Sequence, residues 1–292
     1  MGNKDMEISQ LVESFEFRFA AAGVDNAKRV AEELLAHVFH CKPLEIYTGA
    51  VPAHATAPDK LALIKQLEPM AERIENGEPL QYVIGHVDFW GLELKCDPRA
   101  LIPRPETELL VEEVLSSRIW ERQPAAVVDV GTGTGCIVLT LAKQRSDANF
   151  KAVDVSSDAL MLARENARLN GLEDAVVWLE NFLLDGFAAE STDAVVANLP
   201  YIATDDWKAL PASVRDYEPQ SALESGPSGM EMIALLAAQA RSVLVPGGML
   251  FLEFGYDQGR EVAECLQHLG YHNIEIKHDL AGHDRIAIAE NP

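Results

Sequence analysis

An amide, a proline and an aromatic residue follow one another where a predicted strand ends. The strand 193–197 leads into Asn198, and Leu199, Pro200 and Tyr201 come next. The side-chain carbonyl of Asn198 and the backbone carbonyl of Leu199 offer two acceptors for the hydrogens of a planar –NH2 group, on which Tyr201 can stack. Such acceptors raise the electron density on a weakly nucleophilic nitrogen and aim it at an electrophilic methyl group. The pattern favours methylation of an amide or exocyclic amine; the simpler alternative is a strand-to-loop turn.

A glycine-rich turn lies upstream, between an apolar run that ends at Asp129 and an apolar segment at 136–142. Its residues are Gly131, Thr132, Gly133, Thr134 and Gly135. This order predicts a strand, a tight turn and a helix, with backbone N–H groups close to a ligand at the helix N-terminus. A turn that needs glycine only for a positive φ is the alternative.

An acid and an aromatic residue further along the chain are also candidates for the ligand site. Asp154 ends the predicted second strand, 23 residues after Gly131. An acid at this position accepts hydrogen bonds from ribose hydroxyls in nucleoside-binding folds, although it can also cap the next helix, where Ser156 is available instead. Gly131 and Gly133 match the first two glycines of the dinucleotide pattern G-x-G-x-x-G, but the third glycine of that pattern is missing. A mononucleoside ligand therefore fits better than a dinucleotide. Phe182 follows the third strand, where it can stack on a purine or belong to the core.

These features lie in a region where apolar strands and amphipathic helices alternate from Pro124 onward. The pattern predicts strands at 125–130, 149–154, 175–179, 193–198, 248–254, 272–278 and 284–289, and helices at 135–145, 157–170, 228–244 and 258–269. Alternation of this kind is typical of an α/β doubly wound sheet. The last two strands have no helix between them, so we expect an antiparallel hairpin there.

Residues 6–75 are predicted to be helical, because apolar residues recur at helical spacing. The three apolar faces are Ile8, Leu11, Val12, Phe15 and Phe19; Val30, Leu34, Leu35 and Val38; and Leu63, Leu67, Met70 and Ile74. Three or four short helices would form a small bundle. Because this region has no arrangement of residues suited to catalysis, we expect it to serve recognition or positioning.

The segment 76–104 has a different character. Gly77 and Pro79 interrupt the helical pattern, and the composition of Gln81–Ile84 and Val87–Leu94 is β-like. This predicts a hairpin linker between the bundle and the sheet region.

The motif PRPETE, residues 103–108, comes at the end of the linker. Pro105 suits the first turn of a helix, so one interpretation is a helix start with acidic residues near its positive end. The other is a wall of the ligand site, with Arg104 or Glu106 facing the ligand. The spacing leaves both open.

The composition and charge of the chain limit the kinds of partner and cellular environment that we expect. The chain has 292 residues and a formal net charge of −22, with no cluster of basic residues. Such a surface repels nucleic acids and anionic membranes. The four cysteines are scattered and form no CxxC pair, which favours free thiols in a reducing cytoplasm over a metal site or disulfides. The polar, acidic N-terminus is not typical of a signal peptide, and no apolar stretch is long enough to span a bilayer.

Together, these motifs resemble the protein-(glutamine-N5) methyltransferases of peptide chain release factors, the PrmC/HemK family. The matching stretches are 77–115 with PRPETE, 127–142 with GTGTG, 153–172, 197–203 with ANLPYIA, 217–231, 246–262 and 282–285. They cover the chain from about residue 77 to its end; the bundle matches in character only. The resemblance implies a Rossmann-like, seven-stranded domain dependent on S-adenosylmethionine at 105–292, a β-hairpin linker at 77–104 and a helical recognition domain at 1–76.

The resemblance also implies roles for the site residues. Gly131–Gly135 would hold the methionine and sugar of S-adenosylmethionine, Asp154 the ribose and Phe182 the adenine. The catalytic segment Asn198-Leu199-Pro200-Tyr201 would hold the glutamine of a Gly-Gly-Gln loop, with Asn198 also bordering the cofactor. The partner would be a release factor, bound by a cytoplasmic monomer without direct nucleic-acid, membrane or metal binding.

One departure from the family pattern concerns the amide motif. The usual motif is Asn-Pro-Pro-Tyr, and Leu199 replaces its first proline here. The second acceptor survives as a backbone carbonyl, but the stiffness that fixes its direction weakens. A related motif serves adenine-N6 methylation of DNA and RNA, so that activity is the first alternative. A non-enzymatic adenosyl-binding module and, more distantly, a nicotinamide oxidoreductase are the others.

Overall fold

The computed structural model describes residues 8–48 and 57–292, which form two compact units. The helical unit contains the described residues up to 85 together with 212–217. The sheet unit contains 86–211 and 218–292. The domain borders that the sequence predicts after residues 76 and 104 stay predictions.

The helical unit is built on amphipathic helices. They are α1 (Ile8–Ala21), α2 (Ala27–Phe39), α3 (Glu45–Thr48), α4 (Ala57–Glu75) and α5 (Leu80–Ile84). The apolar faces of α1, α2 and α4 meet in one core, where Phe19, Leu34 and Leu67 are fully buried. This confirms the predicted bundle, although the side chain of Leu63 lies outside the described part of the chain.

The β-like prediction for Gln81–Ile84 is wrong, because these residues belong to α5. Pro79 precedes the helix and Gly85 ends it in a left-handed conformation, with φ of 81°. Tyr82 and Val83 are buried in this short helix. Burial of an apolar helical face therefore outweighs the intrinsic strand propensity of tyrosine, valine and isoleucine.

The sheet unit contains two sheets. The strands are β1 (His86–Phe89), β2 (Leu92–Lys95), β3 (Ala126–Val130), β4 (Asn149–Asp154), β5 (Val176–Glu180), β6 (Thr192–Asn198), β7 (Leu244–Glu253), β8 (His272–His278) and β9 (Asp284–Glu290). Strands β1 and β2 form an antiparallel hairpin. The described residues place the others in a seven-stranded sheet of order β5-β4-β3-β6-β7-β9-β8.

The large sheet has the predicted architecture. Strands β3 to β7 pair in parallel, whereas β9 is antiparallel to both β7 and β8. The prediction of an antiparallel hairpin at the end of the chain is therefore confirmed. The chain crosses from one side of β3 to the other between β5 and β6, which creates the switch point where such sheets bind ligands.

Helices cover both faces of this sheet. The helices of this unit are α6 (Pro105–Ser116), α7 (Cys136–Gln144), α8 (Ser157–Leu169), α9 (Thr204–Ala209), α11 (Glu231–Val243) and α12 (Gly259–His268), while α10 (Ala212–Arg215) belongs to the helical unit. Because side chains alternate along a strand, Val127 joins one core and Val128 the other. Both faces of β3 are therefore buried, which fixes the strand that ends at the glycine-rich turn.

The state of the cysteines and the length and polarity of the helices relate to the cellular environment that the sequence predicts. Cys41, Cys96, Cys136 and Cys265 are free thiols. Burial raises the pKa of Cys96 and Cys136 to about 12, so both stay protonated at neutral pH. Within residues 8–48 and 57–292, every helix is too short or too polar to cross a membrane.

Candidate active site

A cleft of about 330 Å³ opens in the sheet unit at the carboxyl ends of β3, β4 and β6. This is the switch point of the sheet. Most of the predicted site residues line it, namely Gly131, Thr132, Gly133, Thr134, Asp154, Phe182, Asn198, Leu199 and Pro200. Gly135 and Tyr201 are not among the lining residues. The fold thus brings together residues from segments that are far apart in the sequence.

The glycine-rich turn is fastened to the neighbouring strand. The backbone N–H groups of Gly131 and Thr132 both donate to the carbonyl of Val153, at 2.8 and 3.0 Å. Gly131 and Gly133 have φ angles of 74° and 54°, which β-carbon-bearing residues rarely adopt. The turn therefore presents backbone, rather than side chains, to the cleft.

A buried acid supports this turn from below. Asp129 is fully buried, and the hydroxyl of Thr132 donates to its Oδ2 at 2.7 Å. Burial raises the pKa of Asp129 to about 7, against the opposing effect of hydrogen bonds from Thr132 and the Val138 backbone. The turn thus depends on a carboxyl group that is costly to ionise.

Gly135 has a packing role in the structure. It precedes α7 with a φ of 82°, and a β-carbon there would lie 3.1 Å from Leu139 and 3.3 Å from Ala163. Glycine therefore allows α7 and α8 to pack closely at the base of the turn.

Asp154 faces the cleft at the end of β4. Its two carboxylate oxygens accept backbone N–H groups from Gly133 and Ser156, each at 2.9 Å. Ser156, and not Asp154, caps α8 by accepting the N–H of Ala159. Burial raises the pKa of Asp154, while its backbone hydrogen bonds lower it. Each oxygen keeps a further lone pair for a hydroxyl donor in the cleft.

Phe182 stands on the cleft wall just after β5, with 42% of its surface exposed. The next residue, Leu183, turns into the core with a positive φ of 48°. This local backbone leaves the aromatic ring at the surface, where it is available for stacking.

Asn198 ends β6, with its side chain on the cleft. Its Nδ2 donates to Oγ1 of Thr107 at 3.1 Å. Within residues 8–48 and 57–292, neither Asn198 Oδ1 nor the carbonyl oxygen of Leu199 accepts a hydrogen bond. Two adjacent residues of the cleft lining thus each have an acceptor without a hydrogen-bond donor among the described residues.

The structure confirms the helix start at the PRPETE motif and also places Arg104 on the cleft. Pro105 is the first residue of α6, and Arg104 precedes it in an extended conformation. Arg104 also lines the cleft and is paired with the buried carboxylate of Glu218, which accepts the N–H of Ile102 at 3.1 Å. Glu106 is not among the lining residues. The ion pair between Arg104 and Glu218 therefore connects the cleft wall to the segment that follows residue 217.

Known proteins share this sequence over most of its length. Family models match the PrmC N-terminal domain at residues 10–85 and the methyltransferase small domain at 105–212. A release factor glutamine methyltransferase of Nitratidesulfovibrio vulgaris is 36% identical over 93% of this chain and 91% of its own. One from Cereibacter sphaeroides is 39% identical over 94% of this chain and 95% of its own.

The chain belongs to the release factor glutamine methyltransferase family. A solved methyltransferase structure from Pyrococcus furiosus has a TM-score of 0.51 and 18% identity, covering 69% of this chain and 90% of its own. At that identity the likeness shows the fold alone, which is the methyltransferase fold that the motifs predict.

Leu199 is the member of the amide motif that departs from the usual family pattern. Its side chain is only 4% exposed and packs in the core on one face of the sheet. A β-carbon on Gly131 would lie 2.9 Å from its Cδ2. Packing against the glycine-rich turn therefore holds this residue in place, where the usual family member has the stiffness of a proline ring.

Tyr201 lies behind the cleft in a half-buried position against the same core. Its backbone carbonyl accepts the side-chain amide of Gln258 at 2.9 Å. Burial, and next the carboxyl of Glu253, raise the pKa of Tyr201 to about 12. The predicted stacking of its ring on a target amide stays a prediction.

Two polar residues beside Asn198 are not predicted from the sequence, namely Thr107, which lines the cleft, and Glu253, which does not; they are 2% and 1% exposed. Glu253 ends β7 and is paired in register with Asn198. Burial raises the pKa of Glu253 to about 7, although interactions with Thr107, Arg285 and Asn198 lower it. The sequence alone does not distinguish Glu253 from Glu180, which ends the apolar strand β5 and is exposed, because the burial of Glu253 depends on the elements packed around it.

Proposed function

We propose that this protein transfers a methyl group from S-adenosylmethionine to the side-chain amide nitrogen of the glutamine in the Gly-Gly-Gln loop of a peptide chain release factor. The pair of free acceptors at Asn198 Oδ1 and the Leu199 carbonyl carries this proposal. They sit on a cleft whose opposite wall offers a carboxylate and a glycine-rich turn. The relatives named above are release factor glutamine methyltransferases, which gives the chemistry its substrate.

The residues of the cleft fit S-adenosylmethionine. The volume of about 330 Å³ lies within the range of small-molecule sites. Asp154 has lone pairs for the ribose hydroxyls, Phe182 offers a face for the adenine, and the backbone of Gly131–Thr134 can approach the amino-acid part closely. When bound, this cofactor supplies a methyl group made electrophilic by its sulfonium.

The amide half of the cleft would orient the nucleophile. Asn198 Oδ1 and the Leu199 carbonyl would accept the two N–H groups of the target amide, which holds its plane against the cleft. The amide lone pair is delocalised, and two acceptors shift electron density back onto nitrogen. Holding the nitrogen in line with the methyl group lowers the barrier further. No strong base is needed, because the proton can leave after the methyl group has been transferred.

The helical unit would bind another part of the release factor. Residues 10–85 match the PrmC N-terminal domain, which supports a function specific to this family. The net charge of −22 suits a partner with basic surfaces. We further propose that the enzyme acts in the cytoplasm, where release factors work. Its predicted monomeric state and its borders at 1–76, 77–104 and 105–292 stay predictions.

Methyl transfer from labelled S-adenosylmethionine tests the proposal. The purified chain is offered a release factor carrying Gly-Gly-Gln, its Gln→Ala variant and adenine-containing DNA in parallel. We expect label on the native release factor alone. Label on DNA would replace the substrate by an adenine amine, and label on the Gln→Ala variant would place the methylated residue elsewhere.

A further inference from the structure

We propose that Glu253 is a positioning residue, which fixes the orientation of the Asn198 side-chain amide through the hydroxyl of Thr107. This inference rests on the proposed function, since it assigns Asn198 Oδ1 to the target amide. Glu253 itself does not line the cleft and would not touch the substrate.

The three residues come from separate elements. Asn198 and Glu253 end the neighbouring parallel strands β6 and β7, where they are partners in register. Thr107 comes from the first turn of α6, where its backbone N–H donates to the carbonyl of Arg104. Asn198 Nδ2 lies 3.1 Å from Thr107 Oγ1, and the side chains of Thr107 and Asn198 both interact with the Glu253 carboxyl.

When Glu253 is ionised, it determines which group donates in each hydrogen bond among Glu253, Thr107 and Asn198. A carboxylate only accepts hydrogen bonds, so the Thr107 hydroxyl must donate to it. The Thr107 oxygen then accepts, and the Asn198 group that faces it must be the –NH2. Asn198 Oδ1 is thereby turned toward the cleft as an acceptor, which is the orientation that a target –NH2 group requires.

A neutral Glu253 removes this constraint. Its acid proton can donate to Thr107 Oγ1, and the Thr107 hydroxyl can then donate to Asn198 Oδ1. The Asn198 amide would rotate and present its –NH2 to the cleft, where it opposes the –NH2 of the substrate. Two donors facing each other leave both without partners, so binding of the target amide in the reactive orientation is lost.

The groups around the Glu253 carboxyl have opposing effects on its ionisation. Burial and the Glu106 carboxyl disfavour its ionised form, whereas Arg285 and the bonds from Thr107 and Asn198 favour it. Tyr201 and Cys136 also lie near it, and both stay neutral because their pKa values are raised to about 12. Oε2 of Glu253 has no hydrogen-bond partner among the described residues. The carboxyl group is therefore sensitive to pH near neutrality.

Steady-state kinetics with the full chain, S-adenosylmethionine and a release factor provide the first test. We expect Glu253→Gln and Thr107→Val to lower kcat by about tenfold to a hundredfold, the range seen when partners that orient a functional side chain are lost. The dissociation constant for the cofactor should change little. Thr107→Ser keeps the hydroxyl and should retain most of the turnover. Glu180→Gln, at the exposed end of β5, is the matched control.

The pH profile separates positioning from general structural damage. The wild-type kcat should rise with pH through a midpoint near 7, because the ionised Glu253 gives the productive amide orientation. Glu253→Gln should lose that rise. A Glu253→Gln variant with wild-type kcat and an unchanged pH profile would overturn the proposal.

A second measurement needs neither cofactor nor substrate. The side-chain amide signals of Asn198 can be followed by NMR in chains labelled with ¹⁵N-asparagine and assigned by their loss in Asn198→Ala. We expect them to shift with a midpoint near pH 7, and not to do so in Glu253→Gln. Signals that stay constant between about pH 5.5 and about pH 8.5, or that titrate without Glu253, would refute the proposal. If the wild type methylates no release factor, the proposed function fails while this result still decides the role of Glu253.

Discussion

The two halves of the cleft are built in different ways. The cofactor half, formed by Gly131–Thr134 and Asp154, relies on backbone N–H groups and on one carboxylate that they hold. The amide half, formed by Asn198 and Leu199, relies on the neighbouring side chains of Thr107 and Glu253, both of which are buried. A backbone cradle tolerates changes in its side chains, whereas an amide that can rotate needs partners to fix its direction. We therefore expect the two halves to fail separately.

The largest effect should follow removal of the side-chain acceptor. Asn198→Ala deletes Oδ1 and leaves only the Leu199 carbonyl, so methyl transfer should fall by about 10²- to 10³-fold, as when one preorganised polar group is lost from an active site. Single-turnover transfer of label to the release factor measures this. Asn170→Ala, at the end of α8, removes an asparagine outside the cleft and should keep the wild-type rate.

A smaller effect, confined to the cofactor half, should follow removal of Asp154. Asp154→Ala loses hydrogen bonds from the ribose to a charged group and should weaken cofactor binding by about 10- to 100-fold. Calorimetry of S-adenosylmethionine binding measures it. At saturating cofactor the rate of transfer should recover. A rate that stays low at saturation would show that Asp154 also serves the amide half.

Gly131→Ala probes the contact between the halves. The positive φ costs an alanine about 1 kcal/mol, equivalent to several-fold weaker cofactor binding, and the new methyl group would press on Leu199 Cδ2. We expect both cofactor affinity and transfer to fall. Adding Leu199→Ala should restore part of the loss, since it removes the clash. Gly171→Ala has a similar φ of 68° with free space around it, and should leave both quantities unchanged.

Each half also contains one buried carboxyl group with a pKa raised to about 7, namely Asp129 and Glu253. The folded chain therefore binds more protons than the unfolded chain between the ordinary pKa of these groups and pH 7. The contribution of these two groups to the free energy of unfolding should be highest below that window and fall as pH rises through 7, by about 1.4 kcal/mol for each unit of pKa shift. Urea unfolding across pH measures this slope. Glu253→Gln should flatten it, and an unchanged slope would exclude Glu253 as its source.

The difference between the two halves of the cleft also explains which site residues the sequence could predict. Glycine spacing and an acid after the second strand are local patterns, so Gly131 and Asp154 were predicted to face one ligand and both line the cleft. Thr107 lies 91 residues from Asn198, and only the pairing of β6 with β7 brings Glu253 beside them. A pattern within one segment cannot predict such contacts.

Leu199 and Tyr201 show the same limit at adjacent positions. The sequence predicted that the loss of a proline would leave Leu199 less fixed, but could not predict its contact with the glycine-rich turn. It also predicted that Tyr201 would stack on the target amide; the structure shows the residue partly buried against the same core and outside the lining of the cleft, and the stacking stays a prediction. The direction of a side chain after a strand depends on the core that forms around it.

The most direct test of the separation is the cofactor dissociation constant of Asn198→Ala, measured by calorimetry on the variant that has lost methyl transfer. If the amide half serves the substrate, we expect S-adenosylmethionine to bind within about threefold of the wild-type affinity, well below the loss in rate. A loss of cofactor affinity as large as the loss of transfer would contradict the account. Asn198 would then act mainly through the cofactor, and the two halves of the cleft would be one site.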